Sequence, residues 1–438
     1  MVAVQAVPPD NAGTMKKNTA TKSMRRSLPA FAQIVQLIPP GKIESLAEGS
    51  RIKARRFSYE DQVHSLMLGQ LSGAFSLNEI CDGTEVHRKK LVRIRGMLPV
   101  CRNTFSNANR TRDPDVARRL YWDMEKRLEG MAPRFVHPKQ KGRLARFRHR
   151  RICAVDSSTL CLTLKSIDWA RHSRKKAAAK LHMRCDVASR LPSFACITSA
   201  NVADGREMER LCHDLREGDV AIFDRAYSDS AALSRLDARG GFFVVREKKR
   251  AKYRTVRSAP AGGLPRTVLS DETIVLTDPK TRKKYPGWLR RVRARVKVDG
   301  KMREMVFLTN NLEWAATTIA ELYRARWQVE LLFKELKQTL QLRDFYGENA
   351  NAVAWQIWTA LLVHLLLRFL AYCSAWHGSH TRFAGVVKAA LWERLDLMEL
   401  LKVHGTAPPP SETGWNAKTP CLPGFEHFCA RSMGQQRV

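Results

Sequence analysis

Closely spaced cysteine pairs are missing from this sequence. None of the ten cysteines forms a Cys-x-x-Cys pair, and no Cys/His cluster has the spacing of zinc ligands, so we expect no structural zinc site. Residues 1–13 lack a basic stretch followed by an apolar core, so we expect no secretory signal. Four cysteines lie in apolar runs, which predicts small core residues in a reducing compartment: Cys153, Cys161, Cys196 and Cys373.

Acidic residues are scarce, which leaves a large positive charge. The 438 residues include 76 Lys and Arg against 42 Asp and Glu, giving a formal net charge of +34. Such an excess repels itself unless a polyanion neutralises it. The basic residues are spread along most of the chain, which favours nucleic acid over an anionic membrane surface. Hydrophobic residues make up 44% of the chain, enough to build several cores, so a disordered protein is excluded.

One long apolar segment, residues 352–376, raises the question of a membrane span. It contains His364 and Arg368, and a charged side chain in the middle of a bilayer is costly. We therefore expect a buried core helix, no membrane partner and a cytoplasmic location.

Changes of pattern divide the chain into segments. Amphipathic runs broken by Pro-Pro, Gly and Asp-Gly predict an all-helical N-terminal module, with helix N-caps at Ser58 and Asp113. Short apolar strands alternating with helices then predict an α/β unit. Alternating polar and apolar runs follow, with a hairpin turn expected at Asp299 and Gly300. The predicted segments are a mobile basic leader (1–27), the helical module (28–138), a basic linker (139–151), the first part of the α/β core (152–245), a β-rich insertion (246–310), a helix that returns to the core (311–345), C-terminal helices (346–404) and a Pro-rich, mobile tail (405–438).

Two aspartates follow apolar runs in the predicted α/β core. Asp156 comes after Ile-Cys-Ala-Val and Asp224 after Val-Ala-Ile-Phe. Open α/β sheets place ligand sites at the carboxyl ends of their strands. Each aspartate could also simply cap the next turn. Two neighbouring carboxylates would repel each other, and a hard divalent cation such as Mg²⁺ or Mn²⁺ would suit them.

The stretch YRARWQVELLFKELK, residues 323–337, predicts a helix with a distinctive charged stripe. At about 100° per residue, four side chains share one narrow stripe beside the apolar face. These four are Tyr323, Arg326, Glu330 and Lys337. Glu335 falls on the far side and is expected to face solvent. The alternative is an ordinary solvated helix, since charged residues are common at such boundaries.

Together these residues resemble the DDE transposases of bacterial insertion sequences. The resemblance is to the branch with the signature Y-x2-R-x3-E-x6-K, and it covers roughly residues 28–400. It rests on Asp156 in AVDSST, Asp224 in IFDRAY and the four residues of the stripe. One departure is Ala226, where this family often has glycine between the arginine and tyrosine that follow the second aspartate.

The resemblance implies a ribonuclease-H-like catalytic core interrupted by the insertion. Asp156, Asp224 and Glu330 would hold two Mg²⁺ ions, for which Mn²⁺ could substitute, and would support cut-and-paste transposition by cleaving and joining DNA strands. A further set of side chains would contact phosphates: Tyr323, Arg326, Lys337, Arg225 and Tyr227. By analogy with relatives alone, this chain would cut through a hairpin on the element's end. It would also act as a homodimer on paired ends and work at the nucleoid.

The remaining basic segments then acquire expected roles on double-stranded DNA. The helical module and the basic linker would bind the terminal inverted repeats, largely through phosphates. Trp288 in the insertion would stack on a displaced base, or else pack within a hairpin. Lys180 and His182 would contact phosphate, or else only occupy the strand surface.

Two other functions fit the same residues. One is a metal-dependent nuclease on the same fold that cuts DNA without joining it. The other is a DNA-binding protein without catalysis, against which the intact Asp, Asp and Glu set argues.

Overall fold

The computed structural model describes residues 28–52, 56–140, 142–162, 170–173, 176–248, 251–298, 301–340, 342 and 345–406. The predicted leader, the predicted Asp299–Gly300 turn and the tail beyond residue 406 lie outside these ranges.

The described residues between 28 and 136 form helices joined by turns. Ser58 caps the third helix through a capping box, since its hydroxyl accepts from Asp61 N and Asp61 accepts from Ser58 N. The predicted N-cap at Asp113 is wrong, because the N-cap of the seventh helix is Pro114; the Asp113 carboxylate still accepts a hydrogen bond from Asp115 N at 2.9 Å. The helices are α1 (Ala30–Val35), α2 (Lys42–Ala47), α3 (Tyr59–Ser72), α4 (Leu77–Val86), α5 (Arg88–Leu91), α6 (Arg102–Thr111), α7 (Asp115–Met131) and α8 (Pro133–Val136).

The middle of the chain is a mixed α/β region. A 3₁₀ turn (Gly142–Phe147) leads into it from the basic linker. Its strands and helices, in chain order, are β1 (Ile152–Leu162), β2 (Arg171–Ser173), β3 (Lys176–Asp186), β4 (Pro192–Ser199), α9 (Asp204–Cys212), β5 (Val220–Phe223), α10 (Ser230–Ala238), β6 (Phe242–Arg246), β7 (Tyr253–Ser258), β8 (Val268–Leu276), α11 (Pro279–Lys284), β9 (Leu289–Val298) and β10 (Lys301–Thr309).

All ten of these strands belong to one sheet. Strand β3 lies antiparallel between β1 and β4, whereas β1, β5 and β6 run parallel. Strand β10 then pairs antiparallel with β6 and leads through β9 and β8 to β7. The β-rich insertion therefore extends the core sheet edge to edge through β10.

The C-terminal part is helical: α12 (Ala316–Ala325), α13 (Trp327–Thr339), α14 (Ala350–Cys373), α15 (His380–Ala389) and α16 (Leu397–Thr406). Within the described ranges, α14 is the one helix long and apolar enough to cross a membrane. However, 89% of its apolar 18-residue stretch is buried inside the protein. It packs against α3, α6 and α7 of the N-terminal part. Trp355 Nε1 donates to Arg112 O, and Gln70 Nε2 donates to Gln356 O. Helix α14 is thus a core helix, as expected from His364 and Arg368.

Two of the four cysteine predictions are wrong. Cys153 and Cys196 are buried, but Cys161 and Cys373 are exposed. Cys161 lies near the end of β1, and Cys373 is the last residue of α14. The core covers the middle of each element but not its end.

Candidate active site

Asp156 and Asp224 lie at one edge of the sheet. The parallel register pairs Val155 of β1 with Phe223 of β5, so each aspartate follows the last paired residue of its strand. Asp156 does not end its strand, however. Strand β1 continues to Leu162 because its antiparallel partner β3 runs on beside it. Asp224 does end β5 and precedes a 3₁₀ turn over Arg225–Tyr227.

The predicted single helix is two helices that meet at Arg326. The turn there tightens to i→i+3 hydrogen bonds: Arg326 N donates to Tyr323 O, and Val329 N donates to Arg326 O, both at 3.1 Å. Helix α12 delivers Tyr323, and helix α13 delivers Glu330. The junction itself places the guanidinium between the aspartates and the glutamate.

Arg326 and Tyr323 join the three acidic residues. Arg326 Nη1 donates to Asp156 Oδ2 at 2.8 Å, and its Nη2 donates to Glu330 Oε1. The hydroxyl of Tyr323 donates to Asp224 Oδ1 at 3.3 Å. Side chains from β1, from the end of β5 and from α12–α13 therefore meet in one constellation, although the chain separates them widely.

Negative charge accumulates at Asp156. Burial raises the pKa of Asp156 to about 6; the Arg326 guanidinium opposes this shift, whereas the charges of Glu330 and Asp224 add to it. Burial likewise raises the pKa of Tyr323, so its hydroxyl stays protonated and can donate. The Asp156 carboxylate accepts a further hydrogen bond from Ser157 N at 2.8 Å.

A partly buried polar cluster contacts Ser157, the residue after Asp156. Its centre is Asp204, which the sequence analysis does not identify. Asp204 Oδ1 accepts from Ser157 Oγ at 2.8 Å and lies 3.2 Å from Lys180 Nζ. His182 Nδ1 is 3.6 Å from the same oxygen and 3.1 Å from the Tyr227 hydroxyl. The only sequence signal for Asp204 is its place at the start of α9, after the loop that leaves β4.

Two predicted phosphate contacts need correction. The side chains of His182 and Tyr227 are both completely buried, because α9 and the 3₁₀ turn cover this face of β3. Neither can touch a phosphate in this arrangement. Lys180 is mostly buried; its Nζ pairs with Asp204 and donates to Val202 O. Arg225, in contrast, is exposed beside Asp224.

Lys337 lies at the far end of the stripe. Its Nζ donates to Thr159 O of β1 at 3.1 Å. A cleft of about 350 Å³ opens there, between the carboxylates and the exposed face of α13. Its lining includes Asp156, Ser158, Glu330, Lys334 and Lys337.

Glu335 does not face solvent, so that prediction is wrong. Its carboxylate lies 3.0 Å from His364 Nε2, and its side chain is 23% exposed. Helices α14 and α15 cover this side of α13, a side that an isolated helix would give to water.

A larger basic cleft opens next to the carboxylates. It has a volume of about 1050 Å³ and is bounded by Arg326 and Glu330 on one side and by the insertion on the other. The predicted basic linker borders it, and Arg143 and Arg146 both pair with Glu321 of α12. The basic residues lining it are Lys139, Arg143, Arg190, Arg246, Lys297, Arg303, Arg324, Arg326 and Arg368.

Trp288 lies in the insertion, immediately before β9. Its side chain is 60% exposed, so it is not packed into the hairpin. Stacking on a base stays a prediction.

Comparisons with known proteins show what this chain is similar to. The family described as "Transposase DDE domain" matches residues 148–366, and a domain of unknown function (DUF4372) matches residues 26–95. The chain is 33% identical over 261 residues to y4zB of Sinorhizobium fredii, named as a transposase, across 58% of this chain and 69% of that protein. It is 26% identical over 347 residues to a protein of Geobacillus stearothermophilus named as the transposase of insertion sequence element IS5377, across 78% and 85% of the two chains.

A solved piggyBac transposase synaptic complex with hairpin DNA matches 86% of this chain and 80% of its own. The TM-score is 0.38 at 12% identity, so nothing about the fold is concluded from it.

Proposed function

The chain belongs to the DDE transposase family, and from that premise we propose that it cuts and joins DNA at the ends of an insertion sequence. Asp156, Asp224 and Glu330 are the catalytic carboxylates of this proposal. The observation that carries it is their convergence: Arg326 bonds Asp156 and Glu330 together, while Tyr323 reaches Asp224.

The three carboxylates suit Mg²⁺ as the cofactor, with Mn²⁺ able to replace it. Their donor set is oxygen only. Burial raises the pKa of Asp156 to about 6, and the like charges of Glu330 and Asp224 add to the shift, so a cation is favoured among the three carboxylates. We propose two ions. When bound, such ions activate the attacking hydroxyl and stabilise the leaving oxygen of a phosphodiester.

The stripe beside the carboxylates is proposed to hold the DNA backbone. Arg326 lines the basic cleft beside the carboxylates, and its guanidinium is the proposed donor to a phosphate oxygen. Lys337 and the exposed Arg225 flank the carboxylates on either side. Tyr323 orients Asp224 through its hydroxyl, and its ring packs on Phe307 at 4.7 Å.

A ribonuclease-H-like core is the finer fold that we propose. It is supported by the strand order β4-β3-β1-β5-β6, three antiparallel strands followed by two that run parallel to β1. Asp156 lies within β1, Asp224 follows β5, and the later helix α13 brings Glu330.

Double-stranded DNA is the proposed substrate, and the basic cleft is its proposed path. The net charge of +34 and the arginines of the cleft favour phosphate contacts. We propose that α1–α8 and the basic linker bind the terminal inverted repeats, that Trp288 stacks on a displaced base, and that a homodimer joins paired ends. The proposed location is the bacterial cytoplasm, at the nucleoid.

Cleavage of DNA carrying the ends that flank this coding sequence tests the proposal. With Mg²⁺ present, wild type should nick these ends, and Glu330→Gln should lower the rate at least 10²-fold while keeping DNA binding. The matched control is Glu313→Gln, an exposed glutamate before α12, which should cut normally. Normal cutting by Glu330→Gln would contradict the assignment.

A second assay separates a transposase from a nuclease that cuts without joining. A labelled, pre-cut end is incubated with a circular target, and joined product is counted. Cutting without joined product would favour the nuclease.

A further inference from the structure

Outside the proposed DNA-cutting site, three helices bring together two histidines and a glutamate. They are Glu335 of α13, His364 of α14 and His380, the first residue of α15. One ligand atom from each of the three lies within 4.8 Å of the others. The chain spreads them over more than forty residues, so no spacing in the sequence announces the cluster.

The geometry of this cluster is close to that of a three-ligand metal centre. Ligand atoms around a tetrahedral Zn²⁺ lie about 3.3 Å apart, because each is about 2.0–2.1 Å from the ion. The Glu335 carboxylate and His364 Nε2 are already 3.0 Å apart. The two imidazole rings have centroids 5.0 Å apart, so a small side-chain rotation would bring both onto one ion.

One nitrogen of each histidine is buried without a hydrogen-bond partner among the described residues: His364 Nδ1 and His380 Nε2. The other nitrogen of His364, Nε2, bonds the Glu335 carboxylate. The side chain of His364 is 1% exposed, and His380 is 8% exposed. A buried polar atom without a partner is costly, and an ion held by His380 Nε2 would satisfy that atom.

A positive charge lies beside the cluster. Arg368 is one turn after His364 on α14. This charge weakens the attraction for a cation relative to a site without it.

We propose that Glu335, His364 and His380 form a binding site for Zn²⁺ or a similar first-row divalent ion. Two imidazoles and one carboxylate favour such an ion over Mg²⁺, which prefers oxygen ligands alone. Glu335, with its side chain 23% exposed, is the most accessible of the three ligands, and a water molecule would complete the fourth position. The ion would tie α13, the helix that carries Glu330, to α14 and α15.

Zn²⁺ binding to the full-length protein tests this site. The protein is stripped with a chelator, and Zn²⁺ is added in the presence of excess Mg²⁺. We expect one Zn²⁺ per chain to survive gel filtration and to raise the melting temperature. Co²⁺ in place of Zn²⁺ should give the visible absorption of a low-coordinate site with nitrogen and oxygen ligands.

Two variants decide the assignment. His380→Gln and Glu335→Gln should each weaken Zn²⁺ binding at least tenfold and abolish the Co²⁺ absorption. His377→Gln, an exposed histidine nearby, should leave both unchanged. His380→Gln is preferred to a His364 variant because His364 is buried in the middle of α14 and its loss endangers folding.

Controls separate this site from other ligands in the chain. Asp224→Asn should still bind Zn²⁺ if the ion avoids the catalytic carboxylates. Cys421→Ser combined with Cys429→Ser should also bind it, which excludes the cysteines of the tail. The proposal is overturned if wild type holds no stoichiometric Zn²⁺, if folded His380→Gln binds it as tightly as wild type, or if either control abolishes binding.

Discussion

Arg326 lies between two acidic side chains that the chain places far apart, with its Nη1 2.8 Å from Asp156 Oδ2. The same guanidinium bonds Glu330 one turn further along α13. Arg326 therefore occupies the position between carboxylates where we propose that cations bind, and it supplies their counter-charge when no ion is bound.

The first prediction concerns Arg326→Gln. Without Mg²⁺ the variant should be less stable by about 2 kcal/mol, because two partly buried carboxylates lose their shared counter-charge. Adding Mg²⁺ should raise its melting temperature more than that of wild type, because the cation no longer competes with the guanidinium. Thermal melts with and without Mg²⁺ measure both effects.

Arg324→Gln is the matched control for that experiment. Arg324 is exposed on α12 and bonds none of the three carboxylates, so its Mg²⁺ response should equal that of wild type. An equal Mg²⁺ response in Arg326→Gln would count against competition at these carboxylates.

The second prediction concerns Asp204, which we regard as a positioning residue. It holds Ser157, the residue after Asp156, and pairs with Lys180. Asp204→Asn should lower kcat for end cleavage about tenfold and leave the KM for DNA unchanged, because the variant misplaces a carboxylate without removing a phosphate contact. Single-turnover kinetics provide the measurement. Asp82→Asn, an exposed residue of α4, is the control, and a rise in KM alone would contradict the assignment.

The third prediction concerns the basic cleft. Arg303 of β10 is exposed at its rim. Arg303→Gln should weaken binding to element-end DNA and random DNA alike, and should reduce the salt dependence of log K by about one unit, as expected for one lost phosphate contact. Titrations at several salt concentrations measure this slope. Arg235→Gln, which pairs with Glu209 outside the cleft, should keep the wild-type slope. Equal slopes in both variants would place the DNA elsewhere.

The fourth prediction concerns pH and Glu125 of α7. Burial raises the pKa of Glu125 to about 7, and the charges of Glu129 and Asp186 add to the shift. The folded state thus holds a proton that the unfolded chain releases near pH 4.5, so the stabilisation present below that pH is lost as pH rises through 7. Glu125→Gln should be neutral at pH 5 and stabilising by about 1–3 kcal/mol at pH 8.

Urea melts at the two pH values measure the effect of Glu125→Gln. The exposed Glu393→Gln should change neither. A Glu125 variant that stabilises equally at both pH values would show that the pKa of Glu125 is not the cause.

Local signals in the sequence predict much of the site. The apolar runs before Asp156 and Asp224 predict strand ends, which is confirmed for Asp224 and wrong for Asp156, because β1 continues to Leu162. The parallel register of β1 and β5 nevertheless brings the two aspartates to one edge. Helical spacing predicts that Arg326 and Glu330 share a face, and they are bonded. These features depend on periods of two and 3.6 residues, which a single sequence displays.

Other features depend on contacts between distant segments, which periodicity does not contain. Helical periodicity assigns Glu335 to solvent because it contains no information on α14. It also predicts one helix over residues 323–337, because the break at Arg326 has no Gly or Pro. His182 and Tyr227 are buried for the same reason, since α9 folds back over them. The spacing of zinc ligands in a sequence likewise depends on residues that are close along the chain. It therefore does not identify Glu335, His364 and His380, which come from three helices.

The burial of α14 by helices from both ends of the chain has a consequence for synthesis on the ribosome. Helices α3, α6 and α7 emerge first, but the helix that covers their apolar faces ends at Cys373. At ordinary elongation rates those faces remain uncovered for on the order of ten seconds or more. The N-terminal helices thus complete their fold only after Asp156, Asp224 and Glu330 have been made, so a chain truncated before α14 should aggregate rather than yield an isolated N-terminal domain.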